Sequence, residues 1–305
     1  MRNTATKPVS IHSGLLPANS FLSGAFVLSV SDGSAEPVGT PAIDVLVASV
    51  LAQRFPKVEV FSEEAMADVA AAIAIPVLRG DEVTSVVLLM ATRKLPSEVD
   101  VPEPVGVFEV WSPIPPYAEV CLDSGYYGKM ERFANVSSFV RFECGTGLPG
   151  QVWEKAMGVI HQDLSNHPGF LRAAGASADL LQTAMGIPVF GSEFIASVLL
   201  ITSDRTPLVR GVEIWNSSGK EDFEWLGGVY TGDESAAASN KGRKLRRDEG
   251  WAALISESNG AVSSQDPDVI GVNASGEGVE QAIQFGIAIP HFGDDVADSF
   301  VTLLF

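Results

Sequence analysis

Few residues in this 305-residue chain could do chemistry: it has two cysteines and four histidines. A thiol becomes a nucleophile only where a nearby cation or helix N-terminus lowers its pKa. Cys144 stands just before a predicted helix entry, Gly145-Thr146-Gly147-Leu148-Pro149-Gly150, and so has one such neighbour. Cys121 alternates along an apolar stretch and reads as core. His161, Asp163 and His167 offer the imidazole and carboxylate groups that suit zinc or iron. They run from a predicted strand end into a loop, so no rigid face presents all three. Asp163 reads instead as the cap of the turn Leu164-Ser165-Asn166. The other histidines, His12 and His291, lie in distant parts of the chain. Gly145, Gly147 and Gly150 have the spacing of a dinucleotide fingerprint, but Pro149 and the short helix after it favour a structural helix-entry turn. The run Lys241-Gly242-Arg243-Lys244-Leu245-Arg246-Arg247 reads as a solvated surface loop, with an anion or an acidic partner face as its alternative use. No catalytic residue and no metal ligand is expected.

Charge and hydropathy set the setting for these groups. Twenty Lys and Arg against 38 Asp and Glu leave a net charge of −18. Such a field repels phosphate backbones and anionic lipid surfaces, which excludes nucleic acid and membrane as charge-driven partners. Hydrophobic residues make up 46% of the chain and charged ones 19%, enough for packed cores. The longest apolar run, 69–78, contains Pro76 and falls well short of the roughly 20 residues a membrane-spanning helix needs. The first residues lack the apolar segment of a secretory signal. With only two cysteines, a cytoplasmic protein is expected.

The elements repeat. Ile75-Pro76, Ile187-Pro188 and Ile289-Pro290 each sit in an apolar strand, preceded by a predicted helical run and followed by a Gly-containing turn and a second apolar strand. The three segments are 66–89, 178–201 and 279–305. Proline inside a strand demands an edge, a bulge or a strand end, because it cannot donate a ladder hydrogen bond. Gly106-Val107-Phe108-Glu109-Val110-Trp111 matches Gly211-Val212-Glu213-Ile214-Trp215, both alternating at period two. A strand at 25–31 stands for the same element in a shortened first unit. Each unit also carries a helix (from Gly39, Gly145 and Glu249) and then a short strand at 58–61, 159–162 and 261–263. This order predicts α+β units with a largely antiparallel sheet.

The middle unit resembles a GAF domain. The resemblance rests on Phe142-Glu143-Cys144-Gly145-Thr146-Gly147-Leu148-Pro149-Gly150-Gln151-Val152-Trp153, on Asp163-Leu164 after the next strand, on Pro168-Gly169-Phe170, and on Gly186-Ile187-Pro188-Val189. It covers about 100 residues, and the flanking units share it only through their strands. It implies tandem GAF-like units at 1–95, 104–208 and 210–305, the last degenerate, each a mostly antiparallel twisted sheet with helices on its faces. It further implies a small-molecule pocket in the middle unit lined by Cys121, Tyr126, Tyr127, Phe133, Cys144, Trp153, His161, Asp163 and Phe170. The cyclic-nucleotide motif of the family is absent, as is a cysteine in a context for attaching a bilin, so the cofactor is unknown and the ligand unidentified.

The expected function is a non-catalytic sensory or regulatory module binding a small molecule or a partner protein. Two alternatives come from other classes: a redox enzyme of the free methionine sulfoxide reductase type using Cys121 and Cys144, and a structural repeat protein with filled pockets. The chain shows no output segment, so a response is expected to pass through a separate output protein or a homodimer. In a shortened first unit the strand 83–89 would be an unpaired edge, open to a second copy or to the strand 107–111.

Overall fold

In a computed structural model, the described residues are 15–96, 103–178, 180–217, 222–231, 240–271, 283–293 and 296–305. His12, Glu98 and Asp100 lie outside them. The chain forms three antiparallel sheets in succession, an α+β fold. The first contains β1 (Leu22–Ser31), β2 (Ser34–Ala35), β3 (Lys57–Val60), β4 (Val69–Arg79) and β5 (Glu82–Thr92), in the order β2-β1-β5-β4-β3. Helix α1 (Pro41–Gln53) covers its outer face with Ile43, Leu46, Val47 and Val50, the i, i+3, i+4, i+7 spacing of an apolar stripe.

The second sheet contains β6 (Gly106–Pro113), β7 (Glu119–Tyr126), β8 (Arg141–Glu143), β9 (Val159–His161), β10 (Thr183–Phe190) and β11 (Phe194–Thr202), in the order β8-β7-β6-β11-β10-β9. Its helices are α2 (Glu131–Phe139), α3 (Gly147–Lys155) and α4 (Ala173–Ala178). The third repeats that order with β12 (Gly211–Ser217), β13 (Asp222–Tyr230), β14 (Lys244–Arg246), β15 (Val262–Ser264), β16 (Gly286–Phe292) and β17 (Ala297–Leu304). It carries α5 (Gly250–Ser258) and α6 (Pro267–Ile270).

The three Ile-Pro strands meet. Ile75, Pro76, Pro188, Val189, Ile289 and Pro290 line one small central space, and the inner faces of all three sheets share a core that includes Ile75, Ile187 and Ile289. The prolines fit there for a backbone reason. β3 pairs β4 only at residues 71–74, β9 pairs β10 only at 184–186, and β15 pairs β16 only at 286–288. Each proline lies beyond that pairing, on a flank where no neighbour asks for an N–H. The sheets also close on one another in a ring. β3 leans on β7, where Val58 N–H donates to Ser124 Oγ at 3.3 Å. Gly158, just before β9, abuts Val301 and Ile214 of the third sheet. Beside β15, Ala261 N–H donates to Ser85 Oγ at 2.8 Å in the first sheet.

Three expectations are corrected. Apart from Ala178, which ends α4, the runs before the Ile-Pro pairs are not helical where described: β4 begins at Val69 and β10 at Thr183. Residues 69–78 are all buried, since core lies on both faces of β4, and a doubly covered strand loses its alternation. The strand 83–89 is no edge, because β5 runs between β1 and β4; the argument for a homodimer through it falls. The strand 107–111 does not extend the first sheet either, as β6 pairs β7 and β11. No helix among the described residues is long and apolar enough to cross a membrane.

Candidate functional site

β6 alternates its side chains between two cores. Phe108 and Val110 enter the shared inner core, whereas Val107 and Trp111 face the outer core of the middle unit. Glu109 shares that outer face and is fully buried. A buried carboxylate must be paired and hydrogen-bonded, and here it is. The Trp111 indole N–H donates to Oε2 at 3.0 Å, and the Tyr127 hydroxyl donates to Oε1 at 2.9 Å. Arg172 forms a close ion pair with Oε1 and donates to Ser137 Oγ at 2.6 Å. The guanidinium lies over the rings of Phe133, Phe170 and Trp111, at 4.7, 5.2 and 5.4 Å from their centroids. One donor, Arg172 Nη2, is buried without a hydrogen-bond partner. Burial first, and the adjacent Glu109 carboxylate second, push the Tyr127 phenol up, so it serves as a donor at any physiological pH.

Of the nine residues named from sequence, Tyr127, Phe133 and Phe170 converge on this cluster. His161 adjoins it, edge-on to Phe170 at 6.5 Å. The His161 ring also stacks on His167 at 3.9 Å, and its Nε2 lies 3.2 Å from Gln151 Oε1. Burial, with His167 and Lys155 nearby, lowers its pKa to about 4, so the imidazole is neutral. Asp163 does not join the histidines. In a left-handed turn (φ 48°), its carboxylate accepts from Ser165 Oγ and Asn166 Nδ2 at 3.1 and 3.0 Å. No metal-binding group of three appears among the described residues.

The other four lie elsewhere. Tyr126, one residue from Tyr127, takes the opposite face of the sheet and stacks on Phe21 of the first unit, with centroids 6.2 Å apart. Cys121 neighbours the core residue Val120 and by the same alternation points away from the outer core; it is half-buried rather than core. Cys144 is exposed, and burial together with Glu154 raises its thiol pKa, the reverse of activation. Trp153 stacks on Phe194 at 5.0 Å and packs against the same outer core as Phe133 and Phe170, outside the Glu109–Arg172 cluster. The three glycines serve the helix entry. Gly145 and Gly147 hold positive φ, and a Cβ on Gly150 would collide with the Glu143 carbonyl. The basic run lies largely at the surface: Lys241, Lys244 and Arg246 are exposed, Arg246 pairs with the exposed Asp248, and Arg247 lies over Phe223.

Sequence reading missed Glu109, Ser137 and Arg172. A signal for the first did exist, because Glu-x-Trp recurs in the third unit. Glu213 accepts from the Trp215 indole at 3.0 Å, from the Tyr230 hydroxyl and from Thr302 Oγ1 at 3.3 Å. Arg243 lies 4.0 Å from it and over the Trp215 ring. The two arginines come from different elements, Arg172 from the segment before α4 and Arg243 from the loop before β14. In the first sheet, register puts Phe26 and Leu28 at the positions of the Glu and Trp.

No family model matches the sequence, and no curated protein matches it. Solved structures do match in part. One is the A. aeolicus nlh2 GAF domain in an inactive state (16% identity, 32% of this chain and 58% of that one, TM-score 0.26). Another is the free methionine-R-sulfoxide reductase of Neisseria meningitidis in complex with its substrate (20%, 33% and 53%, TM-score 0.26). A third is a Staphylococcus aureus NreA protein mutated in its nitrate binding site (15%, 34% and 75%, TM-score 0.28). The chain spans 58% and 53% of the first two. These matches are to GAF-like domains and each covers about a third of the chain.

Proposed function

We propose that the chain is a non-catalytic regulatory binding module of three GAF-like units, 1–95, 104–208 and 210–305, whose middle unit holds a small molecule against the Glu109–Arg172 cluster. The observation that carries this reading is the unmet donor Arg172 Nη2, set among the aromatic faces of Phe133, Phe170 and Trp111. Apolar walls with one or two fixed polar groups suit recognition of a small molecule that brings an acceptor oxygen. A buried donor left without a partner is costly, and a ligand acceptor would remove that cost. Native mass spectrometry of the purified full chain tests the reading. A reproducible small-molecule mass that is lost on denaturation, and reduced in Arg172→Lys, is expected. A bare chain, with no stabilisation by any member of a panel of small carboxylates and oxoanions, would contradict it.

A structural role is the second reading, favoured by the three Ile-Pro strands that meet in one core. Against the sulfoxide reductase reading, burial and Glu154 raise the Cys144 thiol pKa, the opposite of what a nucleophile needs.

A further inference from the structure

A cavity of about 740 Å³ opens between the second and third sheets, on the far side of β11 and β10 from Arg172. We propose that it binds a small amphipathic amine. Its volume lies within the range of small-molecule sites, about 300–1,000 Å³. Met185 and Leu200 of the second sheet face Val212 and Val229 of the third across an apolar floor, and Asp163, Asp204 and Arg210 stand at its polar margin.

The pseudo-symmetry of the fold supplies an internal control. At the interface between the first and second sheets, register places Phe108 and Tyr126 where the third sheet has Val212 and Val229. There the space is filled: the Phe21 ring meets Phe108 edge-on at 5.3 Å and stacks on Tyr126 at 6.2 Å. Two ring positions have become valines at the second interface, and the volume they would occupy is open. The charge at the margin changes too. Arg93, two residues past Ala91 on β5, donates from Nη2 to the carbonyls of Phe61, Met66 and Val69. The matching position, two past Thr202 on β11, is Asp204. A cation spent on backbone carbonyls in one interface is replaced by a carboxylate lining the cavity in the other.

The head group follows from these charges. Asp163 is held in place by Ser165 and Asn166, and with Asp204 it gives two carboxylates against the one guanidinium of Arg210. The chain carries a net −18, a field that concentrates cations at such a margin. An ammonium group at the aspartates with an apolar body over Val212 and Val229 satisfies both surfaces.

Titration of the full chain with 2-phenylethylamine, and in parallel with 3-phenylpropionate, tests the proposal by calorimetry and methyl NMR. Saturable amine binding is expected, about tenfold or more tighter than the carboxylate, with shifts at the Met185, Val212 and Val229 methyls. The variant Val212→Phe/Val229→Tyr, which rebuilds the filled interface, should lose the binding, and Asp204→Asn should weaken it several-fold. The methyl shifts locate the probe in the wild-type chain even if the refilled variant does not fold. Absence of saturable binding, equal binding of the carboxylate, methyl shifts elsewhere, or unchanged binding in the folded refilled variant would overturn it.

Discussion

Glu109 and Glu213 stand at the same register position in two different sheets, and each accepts the indole N–H of the tryptophan two residues on, at 3.0 Å. Each also takes a tyrosine hydroxyl and faces an arginine, Arg172 or Arg243. The Glu109 pair is the more deeply buried, since Arg172 is almost wholly enclosed whereas Arg243 is 29% exposed. Removing one member of a buried pair leaves the other charge uncompensated, at a cost of about 3–5 kcal/mol. Arg172→Met is therefore expected to destabilise the chain by that amount, and Arg243→Met by less. Urea unfolding of the two variants measures both.

A second expectation concerns pH. In the folded chain the His161 pKa is lowered to about 4 from 6.5, chiefly by burial. Between these values the unfolded chain binds a proton that the folded chain does not, so stability falls as pH drops through that window and is flat above it. Burial lowers His291 as well, and it acts with the same sign. His161→Gln should flatten part of the decline from pH 6.5 to 4 in urea midpoints. An unchanged slope would show that His161 titrates normally.

Phe21 joins the first sheet to the second. It is 1% exposed, and its N–H donates to the Pro207 carbonyl at 3.2 Å. Phe21→Ala removes a ring from a filled interface and is expected to cost about 3–5 kcal/mol. Because Phe108 and Tyr126 remain, the loss should appear as a cavity there, visible by xenon binding in a crystal.

Gly150 makes a sharper test of the helix entry. A Cβ there meets the Glu143 carbonyl oxygen, a backbone atom that cannot rotate away. Gly150→Ala should destabilise by about 1–3 kcal/mol, whereas Gly227→Ala, which meets nothing within 4 Å, should leave the unfolding midpoint nearly unchanged.

The repeat was legible because proline has one backbone meaning in a strand, and three Ile-Pro pairs announce three equivalent flanks. Helix positions were legible where glycine opens them, at α3 and α5. The stretch 69–74 was not, because a strand buried on both faces reads like an apolar helix. The edge strands β8 and β14 were not, because each has charged residues on both sides of one apolar residue and so shows no apolar run. At the site, the aromatic residues could be named by their types, but Tyr126 and Tyr127 part to opposite faces, which depends on register alone. Arg172 could not be found from spacing, because it lies 63 positions along the chain from Glu109 and meets it only when the chain folds.

A small molecule bound at Arg172 of the middle unit would leave its own electron density beside the guanidinium. A high-resolution crystal structure of the protein as purified, with the map inspected around Arg172 Nη2, tests that binding most directly. Well-defined non-protein density with an acceptor within hydrogen-bond distance of Nη2 is the predicted result. A map that resolves the Arg172 guanidinium and shows no such density beside Nη2 would contradict it.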